Sequence, residues 1–314
     1  MSDSSKSSNR PEFDLIDWIA QQLTSSHGLQ LGIGDDAAIL SQERGWEWVT
    51  AVDCLVGGTH FLNDTPLELV GRKSLAVNLS DVAAMGAVPV SALIGLVIPK
   101  SMKRSDVERL CMGIIELAKT WNVSIAGGDT NSCDGPLMIS VTVFGRVETG
   151  TAVLRSGAQV GDALFVTGRL GGSLKSGRHL SFSPRISEAR ELLANSRPTA
   201  MLDLSDGLAG DLLHVSRRSG VGFVIEAERV PIHDDVDHSL PFEKRLAHAL
   251  TDGEDFELLF TVNSEAAEKL ERSGELLGTP VTRVGSCVPG SQIQIQLGGE
   301  LSPLSPGGWV HHLD

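Results

Sequence analysis

Several aspartates in this sequence stand where an apolar run stops: Gly34-Asp35-Asp36-Ala37-Ala38-Ile39, Ala51-Val52-Asp53, Asn78-Leu79-Ser80-Asp81, Ala126-Gly127-Gly128-Asp129-Thr130 and Leu202-Asp203-Leu204-Ser205-Asp206-Gly207. Acids that only solvate a surface sit among other polar residues, whereas sites in α/β folds form at the ends of hydrophobic segments. Each of these acids taken alone is as readily a turn former or a helix cap. Their recurrence points to a shared purpose. Carboxylates brought together repel unless a cation lies between them, and all-oxygen ligation suits Mg²⁺ or Ca²⁺ rather than zinc. Beside them, Gly127-Gly128-Asp129 offers a backbone bare enough to approach phosphate oxygens. The sequence has no G-x-x-x-x-G-K run followed by Ser or Thr, so a Walker-type nucleotide site is excluded. The HRD and DFG runs of protein kinases are missing too.

Such acids need elements to position them. Phe13, Ile16, Ile19, Ala20 and Leu23 recur at helical spacing behind Pro11 and predict a first amphipathic helix. A strand is expected at Trp48–Val52. Thr65-Pro66-Leu67-Glu68 combines an N-cap threonine, a proline at the first helical position and a glutamate at the third, predicting a helix that runs toward Gly86. Val88–Ile98 reads as a strand. Ser105 with Glu108 predicts a second capped helix, carried by Val107, Leu110, Cys111, Ile114, Leu117, Ala118 and Trp121. Strands are expected at Val123–Ala126 and Leu137–Val147, feeding Gly- or Asp-rich turns.

The Gly- and Ser-rich stretch Glu148–Asp162 divides this half from a second series. There the expected elements are strand Ala163–Thr167, a helix near Ser187–Ala194, a strand ending at Asp203 and a helix after Gly207. Strands Val221–Ala227, Phe256–Val262 and Pro280–Ser286 and helix Ser264–Ser273 complete it. The reading is α/β, with residues 1–10 a disordered tail, 11–148 an N-terminal domain and 149–314 a C-terminal domain.

Composition narrows the class. Lys and Arg number 26 against 40 Asp and Glu, a formal charge of −14 that disfavours nucleic acid as a partner. The 4 cysteines lie far apart with no C-x-x-C spacing, which argues against zinc and a disulfide framework and fits a reducing cytoplasm. The most apolar stretch, Val82 to Ile98, carries Gly86, Pro89, Ser91 and Gly95 and falls short of about 20 clean apolar residues, so no membrane span is expected. The polar start MSDSSKSSNR is followed by no apolar run, so no secretory signal is expected either.

Taken in order, the segments LGIGDDAAIL (31–40), AVDCLVGGTHF (51–61), GRKSLAVNLSDVAAMGAVP (71–89), AGGDT (126–130), LRSGAQVGD (154–162), LDLSDGLAGDL (202–212) and GEDFELLF (253–260) resemble the thiamine-monophosphate kinases. That family lies within the aminoimidazole ribonucleotide synthetase-like superfamily of ATP-dependent enzymes. The resemblance covers nearly the whole chain after the tail. It implies a two-domain fold with a mixed sheet packed with helices in each domain, and transfer of phosphate from ATP to thiamine monophosphate with several Mg²⁺ ions and no general base. It implies that Asp36, Asp53, Asp81, Asp129, Asp203 and Asp206 are metal ligands. Gly128, Asp129, Arg155 and Ser205 match positions lining the ATP site, and His60, Glu254 and Trp309 match positions meeting thiamine monophosphate. Where many relatives place a hydroxyl residue before the equivalent of Asp53, this chain has Ala51 and Val52. A homodimer is also implied.

The residues themselves leave choices open. Arg155 is a bidentate phosphate donor or a surface arginine beside a linker. His60 sits in the glycine-loosened loop Gly57–Phe61, Trp309 is a core plug or a stacking surface, and Glu254 with Asp255 caps a turn or holds a cationic substrate. Selenophosphate synthetase would need a reactive Cys near the N-terminus, but none precedes Cys54. The hydrogenase-maturation relative would need one at its C-terminal end, where this chain has His311-His312-Leu313-Asp314. Aminoimidazole ribonucleotide synthetase itself is the enzymatic alternative. A Ca²⁺-binding module is the non-enzymatic one, although the EF-hand pattern is absent.

Overall fold

The computed structural model describes residues 29–31, 35–40, 45–304 and 307. The expected tail, the helix behind Pro11 and Trp309 lie outside these residues. The elements run β1 (Leu29–Leu31), β2 (Ala38–Leu40), β3 (Trp46–Val56), α1 (Leu67–Ala84), β4 (Val88–Pro99), α2 (Arg104–Thr120), β5 (Ser124–Cys133) and β6 (Met138–Glu148). The second series is β7 (Ala163–Thr167), α3 (Ser173–Ser176), α4 (Ile186–Asn195), β8 (Ala200–Asp203), α5 (Leu208–Ser219), β9 (Gly222–Glu226), α6 (Phe242–Thr251) and β10 (Leu258–Val262). It ends with α7 (Ser264–Ser273), β11 (Glu275–Leu276), β12 (Thr279–Val288), β13 (Ile293–Leu297) and β14 (Glu300–Pro303). The first sheet has the order β1-β2-β3-β6-β4-β5, antiparallel except for β4 beside β5. The second has the order β14-β13-β9-β12-β7-β10-β8, with β11 paired to β12 and only β13 beside β9 parallel.

Helix α1 is the element both halves share. It packs on β3 and β6 of the first sheet, on α2, and on α4 and β8 of the second half. Its burial is almost all-round, covering Val70, Leu75, Ala76, Leu79, Val82 and Ala83 but also Lys73, Ser74, Asn78 and Ser80. A helix apolar on one stripe would lie at a surface; one buried all round belongs inside a core. Accordingly one hydrophobic cluster runs from Val49 and Ile139 through α1 to Phe165, Phe182, Phe256 and Phe260. A second cluster covers the other face of the second sheet, with Leu164, Val166, Leu202, Phe223 and Leu259. Strands β7, β8 and β10 are therefore buried on both faces, as their unbroken apolar runs require.

Glycines set the approach of α1 to α2. A Cβ at Gly71 would lie 2.0 Å from the Leu110 carbonyl oxygen, and one at Gly113 would lie 1.9 Å from that of Glu68. Backbone meets backbone here, with no flexible side chain to yield.

Some expectations change at the element ends. Thr65 does not cap α1: the cap position is Pro66, without a side-chain hydrogen bond. Ser105 lies inside the first turn of α2, which starts at Arg104. Gly127-Gly128-Asp129 is no turn after a short strand, because β5 continues through it to Cys133. A Cβ at Gly128 would lie 1.9 Å from the Ile94 carbonyl oxygen, so strand pairing alone demands a glycine there. Helix α6 and the β13–β14 hairpin were not foreseen.

Adding the methyl group in Gly71→Ala or Gly113→Ala should force α1 away from α2 and cost about 1–3 kcal/mol of stability. Thermal unfolding should show a melting temperature lower by several degrees for each variant. An unchanged melting temperature would mean that the helices do not pack this closely.

Candidate active site

Four segments bring their acids to one place. Asp36 precedes β2, Asp53 lies within β3, Asp81 occupies the last turn of α1 and Asp203 ends β8. Carboxylate oxygens of Asp36, Asp81 and Asp203 all lie within 4.8 Å of one another. Asp53 adjoins Asp81, and Ser80 adjoins Asp203. The negative end of the α1 dipole points the same way as Asp81, which adds to the repulsion. Burial, then the charge of Asp36, pushes Asp203 up to about 8. Burial, followed by Asp53 and Asp203, holds Asp81 well above the ordinary carboxylate range, and Asp53 is also raised. Asp35 is raised to about 6 by burial and by Asp36.

Among the described residues one cation, Arg155, is bonded to this group. Arg155 donates from Nη2 to Asp36 Oδ1 at 2.7 Å and from Nε to Asp36 Oδ2 at 3.1 Å, while its backbone N–H donates to Asp35 at 2.8 Å. The fork that sequence reading offered to a phosphate is thus engaged by a carboxylate.

Asp53, Asp81 and Asp203 open onto a cleft whose lining also includes Thr59, His60, Ser205, Asp206, Glu254 and Phe256. Its rim is built by two loops that hold each other. After Asp203 the chain turns into α5 through Gly207, at φ 104, and Asp211 accepts the backbone N–H groups of Asp206 at 3.0 Å and Gly207 at 3.1 Å. Opposite, Gly253, Glu254 and Phe256 have φ of 71, 55 and 51. Glu254 N–H donates to the Ser205 carbonyl at 2.7 Å and Phe256 N–H to that of Leu204 at 2.8 Å. A Cβ at Gly253 would stand 2.6 Å from the Ser205 carbonyl oxygen, so only glycine lets the loops approach.

His60 accepts the Val56 N–H at Nδ1, 3.0 Å away, which leaves Nε2 to carry the proton of the neutral ring. Glu254 is buried, which works against its charge, yet His179 and Lys73 hold it below the ordinary carboxylate range. Asp255 faces away, accepting from Gly171 N–H at 3.0 Å and from Arg178 at 3.0 Å, and burial raises it to about 7. The two acids of Gly253-Glu254-Asp255 thus part: Glu254 serves the cleft, and Asp255 fastens the loop.

The structure gathers Asp36, Asp53, Asp81, Asp203, Asp206, Ser205, Arg155, His60 and Glu254 around this cleft. It does not bring Gly128 and Asp129 there, since both are exposed on β5 at the edge of the first sheet, where Asp129 accepts from Asn131 at 2.7 Å. Lys73, His179 and Asp211 stand in or behind the walls of this site and were not singled out in the sequence. Lys73 and Asp211 lay within segments already quoted, but with Arg72 beside it and Glu68 and Asp81 on the same helix Lys73 gave no separate signal. His214 was also missed; it lies within 4.8 Å of Asp206 and Asp211.

The AIR synthase related protein, N-terminal domain, family matches residues 34–147. The thiamine-monophosphate kinase of Rhodopirellula baltica is 40% identical over 292 residues, covering 90% of this chain and 91% of that protein. That of Bacillus subtilis is 36% identical over 296 residues, covering 87% and 90%. Among solved structures, AaThiL complexed with AMPPCP and TMP superimposes with a TM-score of 0.82 at 30% identity, covering 98% of this chain and 100% of that one. The thiamine-monophosphate kinase of Stenotrophomonas maltophilia K279a gives a TM-score of 0.74 at 34% identity, covering 92% and 97%.

A carboxyl group whose pKa is raised by folding binds its proton more tightly in the folded chain, so stability falls as pH rises from the ordinary carboxylate range to the raised value. In metal-free buffer the melting temperature should therefore fall from about pH 4 to about pH 8, Asp35 contributing up to about pH 6 and Asp203 up to about pH 8. Asp203→Asn should flatten that decline, and Mg²⁺ should raise the melting temperature more at the upper pH. A flat profile for the unaltered chain would contradict the buried like-charge cluster.

Proposed function

We propose how this cleft works from a premise supplied by its relatives: the chain belongs to the thiamine-monophosphate kinase family. It is an ATP-dependent kinase that phosphorylates thiamine monophosphate to thiamine diphosphate. The observation that carries the placement of this reaction is the cluster of Asp36, Asp81 and Asp203 opening onto the same cleft as His60 and Glu254.

ATP and a phosphomonoester are both anions, and the chain carries −14. Buried carboxylates would repel them further. The donor set is all-oxygen and has too few cations of its own, which fits Mg²⁺ held by Asp36, Asp53, Asp81, Asp203 and Asp206. When bound, the ions supply charge neutralisation of the phosphoryl oxygens. Asp129 is assigned the same role by resemblance, from its place on β5.

The attacking group is an oxygen of the thiamine monophosphate phosphate, ionised near neutral pH because its second pKa is about 6. No base has to remove a proton. The bond from the terminal phosphorus of ATP to its bridging oxygen breaks as the new phosphorus–oxygen bond forms, and ADP leaves. Positioning is left to the protein. Arg155 keeps Asp36 oriented, Ser205 lines the cleft beside Asp206, and Gly128 and Asp129 are the further candidates for the ATP side. His60 and Glu254 face the substrate, whose thiazolium ring carries a permanent positive charge that a carboxylate complements. Trp309 is proposed to stack on that substrate.

An apolar exposed patch on the first sheet supports a homodimer. Val52 and Leu93 lie abreast across Thr142 and are 62% and 41% exposed. Among the described residues no helix is long and apolar enough to cross a membrane; action in the cytoplasm is part of this reading.

With ATP, Mg²⁺ and thiamine monophosphate the protein should yield thiamine diphosphate, and Asp53→Asn should lose most turnover while folding normally. Removing one of the repelling charges should leave the metal-free variant as stable as the parent or more so. Wild-type turnover by Asp53→Asn at saturating Mg²⁺ would remove Asp53 from the metal site. Leu93→Glu should convert the homodimer to a monomer in sedimentation velocity; a parent chain that already sediments as a monomer would refute the dimer.

A further inference from the structure

We propose that Lys73 is a positioning residue for substrate recognition, holding Glu254 and the His60 loop from behind the cleft in the orientation that meets thiamine monophosphate. The inference rests on the assignment of Glu254 to the substrate side.

Lys73 lies on α1, and its side chain is fully buried. An ammonium group is strongly hydrated, and lysine is almost never removed from water completely unless it is paired. Its ammonium donates to the His60 carbonyl oxygen at 3.0 Å and to Glu254 Oε2, and His179 Nδ1, 2.9 Å away, meets the same Oε2. These come from three separate stretches: the loop between β3 and α1, the turn after α3, and the loop before β10. His60 and Glu254 line the cleft, whereas Lys73 does not. The charge therefore stands one layer behind the groups that face the substrate.

Glu254 needs such a hold. It has φ 55, a conformation that residues with a Cβ avoid, and only its backbone N–H is tied down by the neighbouring loop. Lys73 and His179 both engage Oε2, with His179 Nδ1 at 2.9 Å. Oε1 has no hydrogen bond among the described residues, so it is the oxygen left to a cationic ligand. A buried lysine–carboxylate pair serving stability alone would be no better than two packed apolar side chains. Contact with two cleft residues at once is what gives this pair a task in recognition.

The test compares Lys73→Met, Glu254→Gln and the double variant in steady-state kinetics. Lys73→Met should raise KM for thiamine monophosphate about tenfold or more, as expected when a buried charge loses its partner. KM for ATP should stay within about twofold, which a general loss of structure would not spare. In the double variant Lys73→Met should add little to the effect of Glu254→Gln, because both act through one carboxylate. Where Lys73→Met does not fold, Lys73→Gln, which keeps two N–H donors and loses the charge, takes its place under the same criteria. An unchanged KM for thiamine monophosphate, equal losses toward both substrates, or additive effects would each overturn the proposal. If Glu254→Gln alone leaves that KM unchanged, the assignment of Glu254 itself fails. If only Lys73→Met leaves it unchanged, the role of Lys73 fails and Glu254 stands.

Discussion

Repulsion among buried carboxylates governs this molecule. Asp36, Asp53, Asp81 and Asp203 are drawn together from four segments, and among the described residues the cation bonded to them is Arg155, which spends its fork on Asp36. Such a cluster works against folding, and its acids respond by holding protons up to pH values where carboxyl groups ordinarily have none. It is tolerable because both substrates arrive as anions that need what the cluster attracts. The site is built to be incomplete until its cation is present.

The fold can force that arrangement because the acids sit on rigid elements. Asp53 lies inside an eleven-residue strand and Asp81 on a helix that both sheets bury. Asp203 ends a strand with neighbours on its helix-packed and opposite faces alike. The loop parts of the cleft carry His60, Ser205 and Glu254; the Ser205 and Glu254 loops are tied to each other by backbone hydrogen bonds, and the His60 and Glu254 loops to α1 by Lys73. Rigidity thus lies where charge is placed, and adjustability where the organic part of the substrate is met.

Much of this was legible in the sequence. The aspartates announced themselves by ending apolar runs, and the cap signals Thr65-Pro66-Leu67-Glu68 and Ser105 with Glu108, the second followed by a helical rhythm from Val107, located the starts of α1 and α2 to within two residues. The cap residues themselves were misplaced, because Thr65 and Ser105 lie one or two residues from where the backbone bonding begins. Gly127-Gly128 looked like a turn since glycine is common there, but its role in β5 is close approach to β4, a contact made by residues some thirty positions earlier. Helix α6 was readable after the fact, with Pro241 ahead of Phe242, Leu246, Ala249 and Leu250. Lys73 was harder. A lysine in a helix that also carries Glu68, Arg72 and Asp81 is ordinarily solvated, and only the path of residues 179 and 254 reveals that it is buried.

Because α1 is clasped by both sheets, neither half can melt by itself without stripping the apolar surface of the other. Heating should therefore yield one calorimetric transition, with an enthalpy belonging to the whole chain. The same clasp removes hinge opening between the halves as an inexpensive way to discharge product. Traffic through the cleft is left to the rim, the glycine-bearing stretches 57–61 and 253–256, so the pace of turnover is tied to how fast those short loops part.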